Sequence, residues 1–75
     1  LMLHGTRDLA VPVRYARAAA ERLPRARYVE VEGGGHWLPR EFPELSADRL
    51  AAFFAAADDD PAVSPGRERV ALGAG

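Results

Sequence analysis

The sequence contains no cysteine and no lysine, and arginine supplies every basic side chain. No thiol is available as a nucleophile or for a disulfide, and the absence of cysteine agrees with a reducing, cytoplasmic compartment. The formal net charge of -1 gives no electrostatic reason to expect nucleic acid or a membrane surface as a partner. No apolar run approaches the roughly 20 residues that span a bilayer. We therefore expect a soluble, cytoplasmic protein.

The chain is also poor in bulky apolar side chains, because alanine supplies much of its apolar content. A domain of this size buries only about 60% of the surface that its unfolded chain exposes, so its core is marginal. The apolar residues from Leu1 to His4 have the pattern of a strand whose first part is expected upstream. We therefore expect the 75 residues to be part of a longer protein.

The first half of the sequence predicts a strand, a helix and a second strand. The apolar run before Gly5 favours a short buried strand. Pro12 suits the start of a helix because it lacks the N–H that a helix start leaves unpaired. The helix is expected to end at Leu23-Pro24, and its apolar residues recur at helical spacing: Val13, Ala16, Ala20 and Leu23. Residues 27–32 alternate between apolar and polar side chains, which predicts a strand near a sheet edge.

The second half predicts one more helix and then a disordered tail. Pro43 can begin this helix, whose apolar stripe should pack on the sheet and consists of Ala47, Leu50, Phe54 and Ala57. Residues 58–75 contain too few large apolar groups to offset the entropy of ordering them. The prediction is thus an α/β unit over residues 1–57, with two parallel strands and two helices, and a disordered tail over residues 58–75.

An acid and a histidine follow the two predicted strands. Asp8 lies in the loop after the first strand, and His36 comes directly after Gly33-Gly34-Gly35 in the loop after the second. A strand-helix-strand crossover joins parallel neighbours, so both loops leave the same edge of the sheet about 4.8 Å apart. The carboxylate can therefore reach a ring nitrogen, at the edge where open α/β sheets bind their ligands.

Such a pair can supply the orienting carboxylate and the general base of a nucleophilic triad. An imidazole accepts and releases a proton near neutrality, and a carboxylate bound to one ring nitrogen leaves the other free to act as a base. Taken singly, Asp8 fits a turn-closing residue and His36 a polar loop residue. Their combination in this topology favours the catalytic interpretation.

Two motifs stand in this order along the chain: Leu1-Met2-Leu3-His4-Gly5-Thr6-Arg7-Asp8 with Val11-Pro12, then Glu32-Gly33-Gly34-Gly35-His36-Trp37-Leu38-Pro39 with Glu41, Pro43 and Glu44. Together they resemble the C-terminal end of the α/β-hydrolase fold family, in which the triad follows the order nucleophile, acid, histidine. The resemblance implies that the chain is the C-terminal β-α-β-α fragment of a hydrolase sheet, with Asp8 as the acid and His36 as the histidine.

The resemblance also implies hydrolysis of a small-molecule substrate through a covalent intermediate. Ester hydrolysis is the first expectation, and epoxide or carbon–halogen hydrolysis, which uses an aspartate nucleophile, comes second. Trp37 is a candidate pocket residue because it stands beside His36. We expect no cofactor and no metal, since two histidines without a supporting acidic cluster make a poor zinc site.

The nucleophile is missing from these residues. The sequence has no G-x-S-x-G elbow, and neither Ser46 in the second predicted helix nor Ser64 in the tail sits on a strand-to-helix turn. The nucleophile is therefore expected upstream, and the 75 residues alone are expected to be inactive.

Two other hypotheses compete with the hydrolase interpretation. One is a truncated, inactive hydrolase-like fragment that acts only as a structural or interaction module through an open strand edge. The other is a nucleotide-binding α/β unit, which is disfavoured because no glycine fingerprint joins a strand to a helix N-terminus.

Overall fold

The computed structural model describes residues 1–71 of the chain. Its elements are, in order, β1 (Met2–Gly5), α1 (Val13–Arg22), β2 (Arg27–Glu32), α2 (Leu38–Glu41), α3 (Pro43–Ala55) and β3 (Gly66–Ala71). The three strands form one parallel sheet in the order β1-β2-β3. The predicted α/β class is confirmed. Within residues 1–71, no helix has the length and apolar character needed to cross a membrane.

Helix α1 forms where the helical spacing predicts it and begins one residue after Pro12. The Pro12 carbonyl accepts the N–H of Tyr15 at 2.9 Å, which closes the first turn without a side-chain cap. Arg22 lies in the last turn, where a cation is favoured by the helix dipole. The helix joins β1 to β2, which pair in parallel with Leu3 opposite Val29.

Strand β2 lies in the centre of the sheet, so the predicted edge position is wrong. Both of its faces are buried, because Val29 is fully enclosed on one face and Glu30 is 3% exposed on the other. Arg17 of α1 donates from Nε and Nη2 to the two carboxylate oxygens of Glu30, each at 2.8 Å, and Tyr28 Oη donates to Glu30 Oε1 at 2.9 Å. A polar face can be buried when its charge is paired in this way.

The C-terminal segment also differs from the prediction. Residues 66–71 were expected to be disordered, but they form β3. Strand β3 pairs with β2 along its length. Glu68 of β3 accepts from Arg27 at 3.2 Å and from Arg49 at 2.7 Å. Backbone pairing and ion pairs therefore order a segment that has few large apolar groups. Residues 72–75 of the predicted tail lie outside the described residues.

The apolar stripe of α3 does not pack on the sheet as predicted. Phe54 is 79% exposed and Leu50 is also exposed, whereas the buried residue of this helix is Ser46. The helix ends at Ala55, before Ala57. It contacts α2, a short helix that the sequence pattern did not predict, and its Arg49 binds Glu68 of the sheet. Helical periodicity identifies residues that share a face, but it does not identify the surface that covers them.

Candidate active site

The loops after β1 and β2 are joined by backbone hydrogen bonds at one edge of the sheet. Thr6 N donates to Val31 O at 3.1 Å, and Arg7 N donates to Gly34 O at 2.8 Å. The Thr6 side chain adds a third bond, because its Oγ1 accepts from Gly33 N at 2.8 Å. The two loops therefore hold a fixed position relative to each other.

This close approach depends on glycine. A Cβ on Gly5 would lie 2.2 Å from Gly34 O, which belongs to the backbone of the other loop. Of the three consecutive glycines, only Gly33 has a positive φ, at 84°. A Cβ on Gly34 would lie 2.5 Å from Leu38 Cδ2, so a larger residue at this position would require the buried Leu38 side chain to shift.

The loops bring Asp8 and His36 into contact. Asp8 Oδ2 lies 2.9 Å from His36 Nδ1. The other carboxylate oxygen, Oδ1, accepts from Ala10 N at 2.9 Å and from Val11 N at 2.8 Å. An ionised carboxylate only accepts, so Nδ1 carries the proton and Nε2 of the neutral ring is left with a free lone pair. The His36 side chain is 46% exposed, which leaves part of the ring accessible to a reacting group.

The electrostatics of the pair favour an ionised Asp8. The residue is 6% exposed, and this burial by itself raises the pKa of the carboxyl group. The hydrogen bonds from Val11 N–H, His36 and Ala10 N–H outweigh it and hold the pKa of Asp8 below its usual value of 3.8. Asp8 therefore carries a negative charge at neutral pH and can stabilise a positive charge on His36.

His4 lies next to the Asp8 carboxylate and hydrogen-bonds to Val11, in the turn that follows Asp8. Its Nε2 donates to Val11 O at 2.8 Å and lies 3.6 Å from Asp8 Oδ2. His4 was not predicted to belong to the site, but the structure places it against the carboxylate of the candidate pair. Its position four residues before Asp8, at the end of a strand, is the only sequence signal of this contact.

Glu41 is a second residue of the site that sequence reasoning missed. Its Oε1 accepts from Gly35 N at 2.9 Å, and its Oε2 accepts from Trp37 N at 3.1 Å. One carboxylate thus binds the backbone amides on both sides of His36. Glu41 comes four residues after Trp37, the residue that precedes α2. This spacing is close to that of the Glu in a helix capping box, and it is the signal in the sequence that could have identified Glu41.

Trp37 lies against the ring of His36. The two rings meet edge to face, with centroids 5.4 Å apart and an interplanar angle of 83°. Trp37 is largely exposed, and so is Leu9, which directly follows Asp8. The candidate pair therefore has an apolar side chain beside each of its members.

No hydroxyl group within residues 1–71 is hydrogen-bonded to His36. Ser46 is buried in α3, and Ser64 Oγ donates to Asp60 O at 2.9 Å. The part of the chain that the structure describes also holds no group of three or more His, Asp or Glu residues arranged to bind a metal ion.

The parallel sheet carries a carboxylate and then a histidine on successive loops at one edge, the chain order that acid and histidine have in α/β-hydrolases. Residues 1–56 match the family model of TAP-like proteins, within the α/β-hydrolases. The chain therefore belongs to this α/β-hydrolase-related family. A comparison with solved structures finds no match.

Proposed function

We propose that the chain supplies the acid and the general base of a hydrolase, with Asp8 as the orienting carboxylate and His36 as the base. The observation that carries the proposal is the contact of 2.9 Å between Asp8 Oδ2 and His36 Nδ1. Membership of an α/β-hydrolase-related family supports the reaction class. The nucleophile would come from a part of the protein that precedes these residues, as in a C-terminal segment of the hydrolase sheet.

In the proposed mechanism for an ester, His36 Nε2 takes the proton of a serine hydroxyl while the serine oxygen attacks the carbonyl carbon. The imidazolium that forms is stabilised by Asp8, and it then gives its proton to the leaving alcohol. Water next attacks the acyl-enzyme while Nε2 accepts one of its protons. Nε2 then gives this proton to the serine oxygen as the acyl–serine bond breaks and the carboxylic acid leaves. These reaction steps need the His36 tautomer that is protonated on Nδ1, and the contact with Asp8 favours this tautomer.

An aspartate nucleophile would give the second reaction class, hydrolysis of an epoxide or of a carbon–halogen bond. In that case the carboxylate attacks carbon and either opens the epoxide C–O bond, whose oxygen takes up a proton, or expels the halide. His36 then activates the water that hydrolyses the resulting ester. Ester hydrolysis remains our first proposal. Trp37 is the proposed wall of the substrate pocket, because its indole ring lies edge to face with the His36 ring at a centroid distance of 5.4 Å and is exposed.

A second candidate function is an inactive, hydrolase-like module that binds a partner. Two observations favour it: the exposed apolar side chains of α3, Leu50 and Phe54, and the lack of a hydroxyl group bonded to His36 within the described residues. Activity that depends on His36 would decide against this alternative.

The cytoplasmic location stays a prediction.

The test is turnover of a chromogenic ester by the protein that carries this chain together with its upstream sequence. His36→Ala and Asp8→Asn are each expected to lower kcat by roughly 10⁴-fold, because the base or its tautomer is lost. The matched control is Asp58→Asn, which removes the charge of an exposed carboxylate away from the site and should leave kcat unchanged. Activity that survives His36→Ala would remove His36 from the mechanism.

A further inference from the structure

The backbone on both sides of His36 is bound by the side chain of a single residue. Glu41 Oε1 accepts from Gly35 N at 2.9 Å, and Glu41 Oε2 accepts from Trp37 N at 3.1 Å. We propose that Glu41 is a positioning residue, which fixes the backbone at His36 so that Nδ1 meets Asp8. This inference rests on the function proposed above for His36.

His36 needs support of this kind because its own side chain is weakly enclosed. The ring is 46% exposed, and its hydrogen bond within the described residues is the one to Asp8. With so little packing around the ring, its direction depends on the backbone dihedral angles at position 36. Two charge-assisted hydrogen bonds to the flanking amides restrict these angles from both sides.

A role limited to starting α2 accounts for only one of the two contacts. Trp37 is the residue that precedes the first turn of α2, so its N–H is bound as in a capped helix start. Gly35 lies two residues further upstream, where a helix cap requires no acceptor. The bond to Gly35 N gives Glu41 a contact on the far side of His36 from α2. A residue that only caps α2 would not need this bond, so the bond distinguishes positioning of His36 from capping of the helix.

The carboxylate of Glu41 occupies the space that a side chain at Gly35 would fill. A Cβ at this position would lie 2.7 Å from Glu41 Oε2 and 2.9 Å from Oε1. These distances are too short for a carbon–oxygen contact, so an alanine at position 35 would displace the carboxylate. Gly35 and Glu41 should therefore act as a coupled pair, in which the cost of substituting one depends on the presence of the other.

The experiment compares Glu41→Ala and Glu41→Gln with Glu44→Gln, which removes the charge of an exposed carboxylate at the start of α3. The first readout is the imidazole Nδ1 proton and ring nitrogen signals of His36 in NMR spectra of the full-length protein. The second is kcat and KM on a chromogenic ester, measured at a temperature at which each variant is shown to be folded.

Glu41→Ala is expected to weaken the Nδ1 proton signal and to lower kcat by about 10- to 100-fold with KM changed by less than about 3-fold. Glu41→Gln keeps one acceptor oxygen and should fall between Glu41→Ala and the wild type. Glu44→Gln should match the wild type. Gly35→Ala should lower kcat in the wild-type background and have a much smaller effect in the Glu41→Ala background.

Three results would overturn the proposal. The first is a Glu41→Ala variant that keeps both the His36 signals and kcat. The second is a Glu41→Ala variant that loses kcat only at temperatures at which it unfolds and has wild-type kcat where it is folded, as a purely structural role would give. The third is full additivity of Gly35→Ala and Glu41→Ala. If the wild-type protein hydrolyses no ester, the proposed ester hydrolysis fails, whereas the NMR signals of His36 still decide the role of Glu41.

Discussion

Gly5→Ala is the substitution that tests the contact between the two loops most directly. Gly5 ends β1, and its missing side chain is what allows the loop before His36 to approach. The added Cβ would lie 2.2 Å from Gly34 O, 2.3 Å from Gly34 C and 2.6 Å from Gly35 O. All three are backbone atoms, so no side-chain rotation can relieve the overlap.

The size of the effect follows from these distances. An ordinary contact to a Cβ begins near 3.4 Å, so Gly34 O must move away from the added Cβ by about 1.2 Å. A shift of this size carried to His36 would lengthen its contact with Asp8, now 2.9 Å, beyond hydrogen-bonding distance. We expect kcat to fall by about 100-fold. Stability should fall by about 1–3 kcal/mol, the usual cost of overpacking.

The assay pairs ester turnover with NMR observation of the His36 ring, and Gly33→Ala is the matched control. Gly33 has a positive φ of 84° and open space around its missing Cβ. Alanine there should cost about 1–2 kcal/mol of backbone strain without pushing the loops apart. If Gly5→Ala kept the His36 signals and lost no more activity than Gly33→Ala, the steric argument would be wrong.

Three further predictions concern stability and can be checked by urea unfolding. Hydrogen bonding to Arg17 lowers the pKa of Glu30 to about 2, so its contribution should be complete above its ordinary pKa of 4.5 and disappear as the pH falls toward 2. Glu30→Gln should therefore cost about 1–3 kcal/mol in urea unfolding at pH 6 and much less at pH 2; an equal cost at both would contradict this. Val29→Ala should cost about 2 kcal/mol, because Val29 is fully buried. Phe54→Ser, on an exposed site, should change stability by less than about 0.5 kcal/mol, and a larger loss would show that Phe54 is covered.

Much of what positions Asp8 and His36 could be predicted from the sequence. Strand β1, helix α1 and strand β2 follow from apolar spacing and from the prolines at helix boundaries, and the parallel crossover predicts that the two loops meet. The structure brings the two side chains to 2.9 Å. The local pattern was sufficient here because a single short crossover leaves little freedom in where the loop ends lie.

The edge position predicted for β2 was wrong because alternation of polar and apolar residues does not reveal paired charges. Glu30 looks like a solvent-facing residue in the sequence, yet Arg17 and Tyr28 bind it in a buried position. The same reason explains β3, which was predicted to be disordered. Its Glu68 is bound by arginines of two other elements, and such long-range partners leave no periodic signal.

The class of fold, the boundaries of α1 and the loops that carry Asp8 and His36 could all be predicted from the residue pattern. These features depend on the backbone preferences of neighbouring residues and on the geometry of one crossover. The burial of Glu30, the exposure of Phe54 and the binding of Glu41 to the backbone around His36 required the three-dimensional arrangement of the chain. Burial and hydrogen bonding depend on which group lies opposite in space, and residues distant in the chain supply that group.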